Sequence, residues 1–72
     1  MTLKTRFGMA VRRLREEAGY SQEAFADRAK VHRTYMGTVE RGETNLTLEN
    51  IDKLARALNL KIWQLLKEVE EG

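Results

Sequence analysis

Between His32 and Arg41 the chain collects short or hydrogen-bonding residues at spacings that share one helix face: His32, Arg33, Thr34, Gly37, Thr38 and Arg41. A face built this way can enter a DNA major groove, which is about 12 Å wide. The Arg33 guanidinium can pair bidentately with guanine O6 and N7. Thr34 and Thr38 can bond a base edge or offer a methyl group to thymine. Gly37 in mid-helix costs about 1 kcal/mol relative to Ala, and close approach of the backbone to a base would account for it. For Arg33, Thr34 and Thr38, contact with phosphate is the alternative. His32 is a base-contact candidate or simply the cap of this helix. Tyr35 can pack partly in the core and reach a phosphate with its hydroxyl. Gln22 sits at a helix start, where backbone amides and the helix dipole favour phosphate.

Other chemistries are poorly supplied. The chain has no cysteine, which excludes a thiolate metal site, and its single histidine, without partners, makes neither a metal site nor a catalytic dyad. With no glycine-rich phosphate loop and little room for a cleft, no enzymatic activity, cofactor or small-molecule substrate is expected. The net charge of +2 says little, but its distribution says more. Eight Lys/Arg face four Asp/Glu up to Arg33, against five and seven from Thr34 onward. That basic first half suits phosphates, although ordinary solvated helix surface reads the same way. Seventy-two residues, 42% of them hydrophobic, suit one small domain that gains from oligomerising. No apolar run approaches the ~18 residues of a membrane span. No secretory leader is evident and cysteine is absent, so a soluble cytoplasmic protein is expected.

The elements that must position these groups are all helical. Leu3, Phe7, Ala10, Val11, Leu14 and Ala18 predict a first helix, capped by Thr2 and stopped at Gly19. Ser21 caps a short second helix carrying Ala24, Phe25 and Ala29. A third runs from about Arg33 to Arg41, with Met36 and Val39 inward and Gly42 as its stop. Thr47 caps a fourth with Leu48, Ile51, Leu54, Ala55 and Leu58 inward, closed by Asn59 in the left-handed conformation. Ile62, Leu65, Leu66 and Val69 predict a fifth, to about Glu70. Only Lys30, Val31 and His32 separate helices two and three, so the two must cross steeply with inner faces nearly touching. Small Ala26 and Ala29 fit that approach, and Val31 can plug the core beneath it. The fold class is all-α: one compact five-helix domain, residues 1–72, with a helix-turn-helix over residues 22–41.

The chain resembles Cro/repressor-type helix-turn-helix proteins. The matching stretches are Leu14-Arg15-Glu16-Glu17-Ala18-Gly19-Tyr20-Ser21-Gln22-Glu23, Val39-Glu40-Arg41-Gly42-Glu43 and Leu54-Ala55-Arg56-Ala57-Leu58. Lys30 stands where that family usually has a left-handed glycine, a departure costing roughly 1–2 kcal/mol. His32-Arg33-Thr34-Tyr35-Met36-Gly37 and the loop to Asn45-Leu46-Thr47 are most similar to restriction–modification controller proteins. Thr44 departs from them by replacing a frequent basic residue. The resemblance implies phosphate contacts from Ser21 and Arg41 beside Gln22 and Tyr35, with Asn45 and Thr47 as loop candidates. It also implies a structural pair between Arg15 and Glu40.

The C-terminal helices, about residues 48–70, carry more apolar surface than so small a body can bury. Leu60, Ile62, Trp63 and Leu66 are therefore the expected interface of a homodimer, with Trp63 as anchor. The expected function is a transcriptional regulator of bacterial or phage origin, binding a pseudo-palindromic operator in double-stranded DNA. As a controller it would activate at low occupancy and repress at higher, contacting RNA polymerase through Glu40 or Glu43. A phage-type repressor, an antitoxin, and a helical interaction module without DNA binding are the alternatives.

Overall fold

The structure, a computed structural model, describes all residues from 1 to 72. Five helices follow one another without a strand: α1 (Leu3–Glu17), α2 (Gln22–Ala29), α3 (Arg33–Glu40), α4 (Leu48–Ala57) and α5 (Ile62–Glu71). Each begins where a side chain can satisfy amide groups that lack an intrahelical partner. Thr2, Ser21, His32 and Thr47 accept from the amides of Thr5, Ala24, Thr34 and Asn50. At α5 the reach is reversed, with Gln64 Oε1 accepting from the Lys61 amide at 2.8 Å. Each of the four connections passes through one left-handed residue: Gly19, Lys30, Gly42 and Asn59.

Packing follows from the apolar stripes. α1 lies against α3 and α5, α2 against α3 and α4, and α4 against α5, within 26 × 23 × 22 Å. Val11, Phe25, Met36, Leu54 and Leu65 are fully enclosed. Ala26 and Ala29 are buried at the α2–α3 approach, and Val31 packs half-buried against the same cluster. Such dense interdigitation fixes α3 rigidly with respect to the rest.

Of the apolar residues placed by periodicity, Ala18, Ala24 and Leu66 are exposed, and Leu3 and Leu48 face solvent more fully still. Leu3 is 62% and Leu48 71% exposed, each at the first position of its helix. The period assigns a face, but a first turn can project past its neighbours. Gly8 was unremarked in the sequence and proves essential to the packing. A Cβ there would collide with the carbonyl oxygen of Val39 and come within 2.8 Å of that of Glu40. α1 therefore touches the end of α3 backbone to backbone.

Candidate nucleic-acid interface

The crossing of α2 and α3 leaves an open groove between the start of α2 and the outer face of α3. Ser21, Gln22, Glu23, Arg33, Thr34, Gly37 and Arg41 line it, and none is hydrophobic. Six DNA-contact candidates from the sequence thus converge on one surface. His32, Tyr35, Thr38, Asn45 and Thr47 lie outside that lining.

Beneath the groove is an ion pair that joins three helices. Arg15 donates to Glu40 through Nε at 2.7 Å and Nη2 at 3.0 Å, and through Nη1 to the Tyr20 carbonyl at 2.8 Å. Hydrogen bonding to Glu40 raises the Arg15 pKa above its ordinary value, against the opposing pull of burial. Glu40 Oε1, which already accepts from Arg15 Nη2, also accepts from Gln22 Nε2 at 3.1 Å, so the first residue of α2 is tied to the end of α3. With its side chain only 4% exposed, Glu40 is unavailable as a polymerase contact, which corrects that expectation. Its charge is spent on Arg15.

The two groove arginines both have carboxylate partners. Arg33 Nη1 lies 3.1 Å from Glu23 Oε2, an ion pair across the helix-turn-helix. Arg41 Nε donates to Glu43 Oε1 at 3.0 Å. The Arg41 guanidinium also curls back one turn over Gly37, where a Cβ would stand 3.0 Å from its Nη1. Gly37 is consequently buried beneath that guanidinium. A swing of the flexible Arg41 would uncover it.

Other candidates have hydrogen bonds that narrow their roles. His32 Nδ1 accepts the Thr34 amide at 3.0 Å, the capping alternative, which leaves Nε2 open. Thr38 is half-buried and donates its hydroxyl proton to the Tyr35 carbonyl at 2.7 Å, so it has no proton left for a base acceptor. The Tyr35 hydroxyl accepts from Asn50 Nδ2 at 3.0 Å, and its own proton remains free. Thr47 Oγ1 caps α4, and exposed Asn45 accepts from Lys4 Nζ at 3.4 Å. Reading the sequence missed Glu23 as the partner of Arg33, Glu43 as the partner of Arg41, and Asn50 altogether. Opposite charge beside each arginine was the only available signal for the first two.

Away from the groove, Trp63 is 60% and Leu66 37% exposed on α5, while Leu60 and Ile62 are half-buried. Leu14, Leu60, Trp63, Gln64 and Lys67 border one shallow depression. Leu65, on the same helix, is fully enclosed.

Residues 11–62 match the helix-turn-helix family across the whole α2–α3 unit and most of its support. The chain belongs to that family. It is a DNA-binding transcriptional regulator, similar to Control protein C.MunI of Mycoplasma, with 34% identity over 96% of this chain and 95% of that one. Control protein C.SmaI of Serratia marcescens is 42% identical over 92% and 79% of the two chains. The crystal structure of the restriction–modification controller protein C.AhdI from Aeromonas hydrophila superposes with a TM-score of 0.81. Its identity is 44%, over 85% of this chain and 92% of that one. The five-helix, strand-free architecture is that of this group.

Proposed function

We propose that this protein controls a restriction–modification system by binding a pseudo-palindromic operator as a homodimer. The groove without a hydrophobic residue at the α2–α3 crossing carries this reading. Arg33 and Thr34 occupy the first turn of α3 and would read base edges in the major groove, as second helices of such motifs do. Ser21, Gln22, Arg41, Tyr35, Asn45 and Thr47 would hold phosphates and fix register without reading sequence. Gly37 and Thr38 would supply close approach and a methyl contact. All residues, 1–72, would act as a single unit, with Leu60, Ile62, Trp63 and Leu66 joining two copies. The groove would serve binding, and no catalytic step is assigned to it. Exposed Glu43 would be the polymerase-facing carboxylate once Arg41 turns to DNA.

Selection from random duplexes tests this reading. An enriched two-fold site whose binding weakens steeply with salt is expected. Failure to enrich any half-site at low salt would remove DNA recognition from this face. With an operator in hand, Arg33→Ala should cost about 1–3 kcal/mol and relax preference at one position, whereas Gln22→Ala should weaken all sequences alike. An adjacent methyltransferase gene would support the controller role; an adjacent toxin or phage gene would redirect it.

A further inference from the structure

We propose that Glu23 is a specificity-determining residue that positions Arg33 and guards the groove against non-operator DNA. The ion pair of Arg33 Nη1 with Glu23 Oε2, at 3.1 Å, is an exposed interhelical pair that lies in the groove, whereas Arg6–Glu70 and Arg13–Glu68 join α1 to α5 away from it. Arg12–Glu16, Arg13–Glu17 and Arg56–Asp52 each run along one helix. Arg33–Glu23 instead crosses from α3 to α2, and both partners line the polar groove. Each side chain is 67% exposed, and pairs this open add little to folding stability. The pair is therefore free to exchange when a ligand arrives.

The geometry gives that exchange a direction. A guanidinium carries five donors in a planar fork. Engaging Nη1 with Glu23 leaves the Nε–Nη2 edge, which suits the O6 and N7 of guanine. On an operator, Arg33 can read its base while Glu23 still neutralises the remaining nitrogen. On unrelated DNA there is no base partner, and Arg33 can bind only by abandoning Glu23 for a phosphate. That move leaves an unpaired carboxylate facing the polyanion, so non-operator complexes bear a repulsion that the operator complex avoids. Arg41 is paired with Glu43 in the free protein, but as a phosphate contact it exchanges that partner on any duplex, so discrimination falls to the Arg33–Glu23 pair.

This inference rests on the groove being the DNA surface, and the experiment separates the two ideas. Wild type, Glu23→Gln and Glu23→Asp are compared on the selected operator and a scrambled duplex over a series of salt concentrations. Glu23→Gln removes the charge, while Glu23→Asp keeps it and shortens its reach. Glu23→Gln should bind the scrambled duplex about tenfold more tightly, with a salt slope steeper by about one, and change operator affinity much less. Glu23→Asp should keep scrambled binding weak but relax preference at the base read by Arg33. In an Arg33→Ala background the Glu23→Gln gain on scrambled DNA should shrink. An unchanged ratio of operator to scrambled affinity in Glu23→Gln overturns the proposal while the DNA reading stands. A wild-type protein that prefers no sequence overturns both.

Discussion

At the residue scale, the most informative position is one where the backbone and the side chain disagree. Lys30 closes α2 at φ 61° and ψ 40°, and its neighbour completes the turn as Val31 N–H donates to the Ala26 carbonyl at 3.0 Å. That hydrogen bonding is what a helix C-terminus needs, but a residue with a Cβ is strained there by roughly 1–2 kcal/mol. Glycine would release the strain while making the unfolded chain more flexible, by about 0.4–1 kcal/mol. Lys30→Gly should therefore stabilise by about 0.5–1 kcal/mol, seen as a melting temperature a few degrees higher. A lower or unchanged melting temperature would mean that this turn is not strained. The left-handed turn was legible through the resemblance, which implies a left-handed glycine where Lys30 stands. The partners of Arg33 and Arg41 were not, because long side chains choose among several nearby carboxylates only once the helices have crossed.

At the element scale, α3 is held by two supports of opposite character. One is the dry backbone contact at Gly8, where α1 meets the carbonyls of Val39 and Glu40. Alanine there gains about 1 kcal/mol of helix propensity but must push α3 away, and overpacking of this kind costs roughly 1–3 kcal/mol. Because the obstruction is backbone, no rotamer change can relieve it. Gly8→Ala should lower the urea midpoint and also weaken operator binding, since α3 itself is displaced. Full stability together with full affinity would show that the helices can separate without consequence. The second support is the buried pair of Arg15 and Glu40. Removing one partner leaves a buried charge unpaired, which costs about 3–5 kcal/mol, whereas an apolar pair of similar volume is often tolerated. Arg15→Met should thus be more damaging than Arg15→Met with Glu40→Met, as measured by chemical denaturation. A double variant at least as unstable as the single would show that the pair contributes more than mutual neutralisation. With its pKa raised, Arg15 stays charged until the pH climbs through its folded value, in strong alkali. Helix number, caps and ends were readable from spacing. Gly8 was not, because a mid-helix glycine looks only like a weak helix former until the carbonyls at the end of α3 are seen against it.

At the scale of the whole molecule, the positions of the two functional surfaces matter together. A single α3 reads only a few base pairs, so useful selectivity requires a second reader held at a fixed distance. α5 offers the means: Trp63 and Leu66 are exposed one turn apart, beside half-buried Leu60 and Ile62. Trp63 and Leu66 thus leave apolar side chains adjacent in solvent on a body about 26 × 23 × 22 Å. Two copies meeting there with two-fold symmetry would each present the same groove, and a 34 Å separation of recognition helices would match one turn of duplex. Trp63→Asp places a charge at the proposed centre and leaves the enclosed core of Leu54 and Leu65 untouched. Sedimentation at micromolar concentration should then report monomers that keep their helical circular dichroism. On the full operator their affinity should fall to about that of a half-site, while the bases preferred within each half-site should persist, because the α2–α3 groove is built within one chain. A variant that still sediments as a dimer would move the interface off α5. One that is monomeric yet binds the full operator undiminished would mean that the two readers never act together.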